Sequence, residues 1–278
     1  MTAYSINALA SYPRTSDLAY WINERESIRL RRQAGAPAPW TIDPDMANVR
    51  YCNVHREDDK VTKWLRANPV YSGPDIAVWR VVLSRMVNRI SSLEAIQLYA
   101  EEDSLVDIKA MLKELRKRWA IWGNAYTIST CGKSMDKVDY VLDHVVAAVK
   151  QRAFIFDTLD STHQQLMRVD GLGSFLAGQV VADLKNMPGH PLSAAPDFDT
   201  FAVPGPGSLK GLAAYFGGVA TPGQFKALLG TATAQVTPLL ANYVTPIHAQ
   251  DMQNCFCEFS KYIRVREGGR ARNNYAPN

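Results

Sequence analysis

The most informative motif for chemistry is the segment 171–180, GLGSFLAGQV, which follows a polar stretch that is predicted to be helical. Gly171 and Gly173 permit a tight turn with positive φ, and the small Ala177 allows two helices to pack closely. The pattern GxGxxxAxxV is typical of a helix-hairpin-helix, in which unpaired amides of the second helix, beginning here at Ser174, hold a DNA phosphate. The alternative is a glycine-rich helix start without a ligand. A dinucleotide fingerprint is excluded because its third glycine is missing.

A carboxylate follows this hairpin after a loop rich in proline and glycine, in the segment 197–200, DFDT. In DNA glycosylases built on a helix-hairpin-helix, a catalytic Asp follows the second helix after a short loop, often as Asp-Thr, and Asp199 resembles that residue. Capping a helix or a turn is the alternative role for such an Asp. Asp197 lies two residues earlier, and the sequence does not decide between the two carboxylates.

The segment 204–212, PGPGSLKGL, has the composition of an anion-binding loop. Gly205 and Gly207 expose backbone amides, Ser208 can cap the next helix, and Lys210 is predicted in the first turn of that helix. Such an arrangement holds a phosphate or a pyrophosphate. The spacing is not GxxxxGK[ST], and the segment CGKS at 131–134 lacks the first glycine of that motif. We therefore expect neither an ATP-binding loop nor a fused kinase in this chain.

The segment 50–62, RYCNVHREDDKVT, places amide, guanidinium, imidazole and carboxylate groups beside a predicted helix start. Asn53 and Arg56 have side chains that can read a base edge or bind a phosphate. A solvated helix cap is an equally good interpretation of this segment. The imidazole of His55 beside acids is weak evidence for a metal, so no metal site and no cofactor are predicted.

A second pair of charged residues lies near the end of the chain, on a predicted helix. Glu258 and Lys261 are three residues apart and therefore share one helix face. Either they form a structural ion pair, or they supply an acid and a cation to a pocket, and the spacing alone favours neither role.

The charge of the chain is mildly positive and unevenly distributed. The 278 residues include 31 Lys and Arg against 27 Asp and Glu, and the last 18 residues hold five of the cations and one acid. The tail contains Arg270, Arg272 and Tyr275, and this mixture of guanidinium and aromatic groups suits contacts with nucleic acid. A basic tail therefore indicates a polyanionic partner.

The composition is that of an ordinary globular protein, with 47% apolar and 21% charged residues. The four cysteines form no CxxC motif, so we expect free thiols in a reducing compartment. The N-terminal segment lacks the pattern of a signal peptide, and no apolar run approaches the roughly 18 residues of a membrane span. These features predict a cytoplasmic protein without a membrane partner.

Helical periodicity dominates the chain and predicts an all-α protein. Helices are expected at 16–33, 75–90, 93–102 after a Ser91-Ser92 cap, 105–119 after Ser104, 135–166 as one or two helices, 174–185, 208–216, 221–232 and 247–263. We expect a single helical domain over 1–278, with two lobes of about 1–130 and 131–260 as an alternative, and a basic tail at 261–278.

Several segments together resemble one family of proteins that modify viral DNA bases. They are ERESIRLRRQAGAPAPWTIDP at 24–44, RYCNVHREDDKVTKWL at 50–65, the hairpin at 171–180, DFDTFAVPGPGSLKGL at 197–212 and CEFSKYIRV at 257–265. The family is the alpha-glutamyl/putrescinyl thymine pyrophosphorylases, or amino acid:DNA transferases, and the resemblance extends over roughly residues 15–275. A similar helical domain occurs with kinases for 5-hydroxymethyluracil in DNA. The resemblance implies a helical bundle related to the helix-hairpin-helix DNA glycosylases.

The resemblance also implies a reaction. A separate kinase converts 5-hydroxymethyluracil in duplex DNA to a pyrophosphorylated form, and the transferase displaces pyrophosphate with the amine of an amino acid or polyamine. On this basis the DNA backbone is bound by Gly171, Gly173 and Ser174, together with Arg270, Arg272 and Tyr275. Pyrophosphate is held by Gly205, Gly207, Ser208 and Lys210, with Arg56. Asn53 holds the base, Asp199 orients or deprotonates the amine, and Glu258 and Lys261 line the pocket.

Two other functions remain open at this point. The first is a DNA glycosylase that excises a modified base, for which the loop at 205–210 is unnecessary. The second is a DNA-binding protein without catalysis, and the mild net charge of +4 argues against it. In a viral context, the expected location is the cytoplasm of the bacterial host.

Overall fold

A computed structural model describes residues 13–125 and 128–270, and within these ranges the chain forms helices and no β-strand. The all-α prediction is therefore confirmed. The α-helices are α1 (Thr15–Gln33), α2 (Pro44–Asn48), α3 (Lys60–Ala67), α4 (Val78–Val87), α5 (Ile90–Glu101), α6 (Leu105–Leu115), α7 (Lys137–Asp139), α8 (Ala147–Lys150), α9 (Leu159–Met167), α10 (Ser174–Lys185), α11 (Pro206–Phe216), α12 (Phe225–Val236) and α13 (Ala249–Arg266). A π-helical turn, Tyr140–Val146, joins α7 to α8. None of these helices is both long and apolar enough to cross a membrane.

The chain divides into two compact units. The terminal unit consists of residues 1–59 and 202–278, and the central unit consists of residues 60–201. The terminal unit is thus built from both ends of the chain. The expected single helical domain, with two lobes of about 1–130 and 131–260 as the alternative, stays a prediction.

The core of the terminal unit forms where α1, α11, α12 and α13 pack together. Large side chains fill it, among them Trp21, Tyr215 and Phe256, all fully buried. The helices α11 and α13 approach each other very closely, because a Cβ added at Gly211 would lie 2.0 Å from the carbonyl oxygen of Phe256. A side chain at this position would push the two helices apart, so glycine is required there for packing.

The central unit contains a buried ion pair that fixes α10 against α4. Arg85 donates two hydrogen bonds to the carboxylate of Asp183, and both side chains are almost completely buried. Arg85 also donates to Thr62 Oγ1 at 2.9 Å. Because a lone buried charge is costly, loss of either partner of such a pair typically destabilises a protein by about 3–5 kcal/mol. The second helix of the predicted hairpin is therefore held rigidly in its unit.

Helix boundaries agree with the sequence where capping is local. Ser104 caps α6 through the amide of Asp107, as predicted. The cap predicted at Ser91-Ser92 is wrong, since α5 begins at Ile90 and includes both serines in its first turn. The helix α11 begins at Pro206, earlier than predicted, because proline suits the first helical position and needs no amide partner there.

Candidate functional site

A segment of the terminal unit, residues 50–56, is held along one face of α13 by side chains of that helix. Lys261 Nζ donates to the Arg50 carbonyl (2.9 Å), Glu258 Oε2 accepts from the Cys52 amide (3.0 Å), Asn254 Nδ2 donates to the Asn53 carbonyl (3.1 Å) and Asp251 Oδ1 accepts from the Arg56 amide (3.0 Å). The segment therefore runs antiparallel to α13. We call this set of contacts the α13 ladder. It secures an irregular backbone that has no helix or sheet of its own to satisfy its polar groups.

The ladder gives Glu258 and Lys261 a clear structural task. Their side chains pair at 2.6 Å between Nζ and Oε2, and each also binds the backbone of the 50–56 segment. Glu258 is almost fully buried in this arrangement. The two residues thus position the segment that carries Asn53, and any direct contact of theirs with a substrate remains a prediction.

Arg25 of α1 fixes the side chain of Asn53. Its Nη2 donates to Asn53 Oδ1 at 2.6 Å, and its Nε donates to the Cys52 carbonyl at 2.8 Å. Asn53 Nδ2 in turn donates to the carbonyl of Asp58 at 2.8 Å. The amide of Asn53 is therefore held in one orientation, as a group that reads a base edge requires. Sequence reasoning assigned no role to Arg25, because an arginine within a charged helix gives no local signal that it is buried.

An acid–imidazole pair lies at the end of the same segment. His55 Nδ1 lies 3.6 Å from Asp251 Oδ2, and His55 Nε2 lies 2.9 Å from Thr245 Oγ1. Burial alone lowers the pKa of His55, but the hydrogen bond and charge of Asp251, with Glu26 and Asp58, outweigh it and raise the pKa above its usual value. The pair was not predicted, since its two members are 196 residues apart along the chain.

This raised pKa predicts a pH-dependent contribution to stability. The contribution should be complete below the unfolded pKa of about 6.5 and should fade as the pH rises through the higher folded pKa. Denaturant unfolding of the wild type and of His55→Gln between pH 5 and 9 measures it. We expect the stability lost in the variant to be larger at pH 6 than at pH 9, and a loss independent of pH would contradict the pairing.

The start of α11 is a conventional helix N-terminus whose glycines have different tasks. The Ser208 hydroxyl lies 3.0 Å from both the amide and the carbonyl of Gly205, so Ser208 caps the helix backwards, from its third position. A Cβ on Gly207 would lie 2.3 Å from Cys257 Sγ, so this glycine permits close packing on α13. Because α11 begins at Pro206, Lys210 lies in the second turn of the helix and not in the predicted first turn. Lys210 is exposed and lies one turn after Pro206.

The amides of Gly207 and Ser208 remain the first-turn donors of α11, because Pro206 has none and the Gly205 amide is occupied. Cys257 lies beside them, and burial together with Glu258 raises the pKa of its thiol. The thiol is thus protonated at neutral pH and is a poor nucleophile. Across the ranges that the structure describes, no three His, Cys, Asp or Glu side chains group together as metal ligands.

The hairpin motif lies in the central unit as two helices joined by a short turn. Helices α9 and α10 pack together through a short turn, in which Gly171 has a φ of +95°. A Cβ at Gly171 would also lie 2.5 Å from the Tyr140 hydroxyl, so both conformation and space require glycine. Gly173 has an ordinary φ of −69° as the N-cap of α10, and the expected positive φ is wrong there. The buried His163 joins the two helices by a 2.9 Å bond from Nε2 to the Ser174 carbonyl.

The two candidate carboxylates of the 197–200 segment differ in their surroundings. Asp197 accepts hydrogen bonds from the amides of Leu159 (2.8 Å) and Asp160 (3.0 Å), and therefore caps the start of α9. Lys185, at the end of α10, donates to the Phe198 carbonyl at 2.9 Å and lies over the Phe198 ring. Asp199 lies in a turn and is exposed. Asp197 therefore has the capping role that was the alternative to catalysis for an Asp in this segment.

Removal of the Asp197 cap should cost stability. We expect Asp197→Ala to lower the free energy of unfolding by about 0.5–2 kcal/mol, the usual effect of losing a helix cap. Asp157→Ala is the matched control, because Asp157 is an exposed carboxylate just before the same helix. Chemical denaturation of both variants measures the difference, and equal stability of the two would refute the capping role.

The remaining predicted site residues are distributed between the units. The hairpin and Asp199 belong to the central unit, whereas Asn53, Arg56 and the residues of α11 and α13 belong to the terminal unit. Arg270 is exposed beyond the end of α13. Arg272 and Tyr275 lie outside the described residues.

The fold and the site together define an all-helical protein with a glycine-turn helical hairpin and a polar site organised along its last long helix. More specifically, the chain belongs to the family described as "5-hmdU DNA kinase, helical domain", whose model matches residues 13–270. Searches of curated proteins and of solved structures gave no match. The family links the chain to the modification of 5-hydroxymethyluracil in DNA, in the thymine hypermodification pathway that also includes a kinase step. The resemblance found in the sequence is confirmed at this level.

Proposed function

We propose that this chain replaces the pyrophosphate of 5-pyrophosphoryloxymethyluracil in DNA with the amine of an amino acid or polyamine. The bond from the 5-methylene carbon to oxygen breaks, pyrophosphate leaves with the bonding electrons, and a carbon–nitrogen bond forms while the amine loses a proton. The observation that carries the proposal is the start of α11, where the amides of Gly207 and Ser208 lie on a helix that packs closely against α13, and α13 orients the Asn53 segment. A helix N-terminus is well suited to an anionic leaving group.

The arrangement supports a division of tasks within the terminal unit. The first-turn amides of α11, with Lys210 and Arg56, would stabilise the pyrophosphate as its negative charge develops. Asn53, held by Arg25, would hydrogen-bond the modified base, which must leave the helical stack to enter a closed pocket. Glu258 and Lys261 keep the 50–56 segment in place.

The central unit would bind DNA and would supply the carboxylate that acts on the amine. The hairpin turn at Gly171 and Gly173, with the start of α10 at Ser174, offers backbone amides to a phosphate. Arg270, Arg272 and Tyr275 of the tail would add contacts to the DNA. Asp199 would orient or deprotonate the amine. A separate kinase would generate the substrate, and the reaction would take place in the bacterial cytoplasm if the source is viral.

A DNA glycosylase is the second candidate, and one observation favours it. The hairpin and Asp199 lie in the same unit, where Lys185 ties the loop of Asp199 to the second hairpin helix. A hairpin followed by a nearby carboxylate in one unit supports excision of a base. The glycosylase has no need of the pyrophosphate-binding features of α11, however, and the transferase accounts for both sets of residues.

The test is incubation of the chain with duplex DNA that carries the pyrophosphorylated base and a mixture of amino acids and putrescine. We expect release of pyrophosphate and an aminated base, identified by mass spectrometry of the digested DNA. DNA with 5-hydroxymethyluracil and ATP should remain unchanged, since the sequence has no nucleotide loop. An abasic site would establish the glycosylase, and binding without reaction would establish a DNA-binding protein. Conversion of the hydroxymethyl base without a kinase would refute the need for a leaving group.

A further inference from the structure

The terminal unit contains a cavity between α1 and the residues that follow it. Its volume is about 360 Å³, and its walls are formed by α1, the loop around Trp40, α2 and the residues up to Tyr51. This volume lies at the lower end of the range of small-molecule sites, about 300–1,000 Å³. The cavity borders the Asn53 segment, because Arg25 lines the cavity and also binds Asn53.

Arg25 is an unusual residue to find in such a wall. Its side chain is only 7% exposed, yet it forms no ion pair with a carboxylate among the described residues. Its Nη1 is buried and has no hydrogen-bond partner there. The two adjacent acids, Glu24 and Glu26, form ion pairs with Arg31 and Arg29 instead. Because buried polar groups are normally hydrogen-bonded, a buried guanidinium nitrogen without a partner beside a cavity indicates that an acceptor such as an anion binds there.

A second arginine increases the positive charge of the cavity. Arg32 also lines it, with its guanidinium carbon 4.9 Å from the centre of the Trp40 ring. No Asp or Glu is found among the lining residues, and most of the remaining wall is apolar, including Ile28, Pro39 and Met46. The cavity thus combines two cations with an apolar body, which fits a small organic carboxylate better than a polycation or an entirely polar anion.

We infer that this cavity binds an α-amino acid through its carboxylate, and that the amine donor of the proposed reaction is therefore an amino acid and not a polyamine. The inference rests on the proposed function. A dication such as putrescine would be repelled by Arg25 and Arg32. Inorganic pyrophosphate would gain nothing from the apolar wall. A carboxylate bound by the arginines leaves the amino nitrogen, the atom that forms the new bond, available for reaction.

Direct binding to the full chain tests the inference without any DNA. Calorimetric titrations use glycine, L-serine, L-glutamate and L-phenylalanine, the α-carboxamide of each, putrescine and inorganic pyrophosphate. We expect at least one amino acid to bind and its α-carboxamide to bind at least about tenfold more weakly, since a charge-assisted pair is replaced by a neutral one. Putrescine should not bind.

Four variants locate the site. Arg32→Gln removes an exposed cation of the cavity and should weaken the amino acid while leaving its carboxamide unaffected. Ala47→Phe fills the cavity from α2 without changing charge, and should weaken both ligands together. Arg264→Gln is the matched control, because it removes an exposed arginine of α13 outside the cavity. Arg25→Gln should abolish binding of the amino acid. If this substitution of a buried residue prevents folding, the substitution of the exposed Arg32 still tests the inference.

The outcomes separate this inference from the proposed function. Binding of amino acids without any transfer to pyrophosphorylated DNA would leave the cavity assignment intact and refute the transferase. Transfer of putrescine, equal affinity for an amino acid and its carboxamide, preferential binding of pyrophosphate, or failure of all four amino acids to bind would each overturn the carboxylate site while leaving the transferase open.

Discussion

Asp199→Asn is expected to lower the rate of amine transfer by roughly 10²–10⁴-fold, the range that loss of a general base produces. The substitution preserves size and most hydrogen bonding but removes the carboxylate that would accept the proton of the incoming amine. Asp199 is exposed in a turn at the end of the central unit, so its replacement should leave folding intact. Single-turnover kinetics on pyrophosphorylated DNA measure the effect.

The pH dependence of this variant provides an internal control. A higher pH increases the fraction of amine that is already deprotonated, so the Asp199→Asn enzyme should recover part of its rate as the pH rises. Asp197→Asn should retain its turnover below its melting temperature, because Asp197 binds the amides of α9 and is not available for the amine. Wild-type turnover of Asp199→Asn at neutral pH would exclude Asp199 as the base, and His55→Gln would then test the imidazole paired with Asp251.

The helices were predictable because their signals are local. The hydrophobic period and the following polar residues give α10 its limits, 174–185, as predicted, and the Ser104 cap sets the start of α6. The positive φ of Gly171 was likewise inherent in the hairpin motif. Local rules failed at α11, where the proline at 206 starts the helix before the serine that was expected to cap it.

The tasks of the glycines near α11 could not be deduced from their neighbours in sequence. Gly207 was predicted to expose its amide and Gly211 was given no role, yet each provides space for α13, some 45–50 residues later in the chain. The glycine at 207 can serve both packing and amide donation, since its amide points along the helix axis while its missing side chain faces α13. A sequence motif alone does not reveal the packing partner.

The site shows the same limit more strongly. The sequence indicated Asn53, Glu258 and Lys261 as candidate site residues. Only the fold reveals that Glu258 and Lys261 hold the backbone beside Asn53. Arg25 was missed because burial of a charged residue within a charged helix depends on what packs over it. The division into units was also unpredictable from local signals, because the terminal unit joins residues from both ends of the chain.

Lys210→Ala is expected to reduce turnover far more than DNA binding. A single lysine facing a leaving pyrophosphate gains importance as negative charge develops, so its loss should cost about 2–4 kcal/mol at the transition state, or roughly 30–1,000-fold in rate. Lys210 lies in the second turn of α11, and because helical side chains tilt towards the N-terminus, its ammonium can reach an anion at the first-turn amides. DNA affinity should change little, since the proposed DNA contacts are spread over the hairpin and the tail.

Lys226→Ala is the matched control for this prediction, because Lys226 is an exposed lysine on α12 of the same unit. It removes the same charge, so any general electrostatic loss should appear equally in both variants and should be weakened by salt. A specific effect of Lys210 would persist at saturating DNA and would appear as a lower single-turnover rate together with weaker inhibition by added pyrophosphate. If Lys210→Ala instead retains its rate at saturating DNA but binds DNA with a reduced salt dependence, Lys210 contacts the DNA backbone, and the pyrophosphate must be bound by the α11 amides and Arg56 without it.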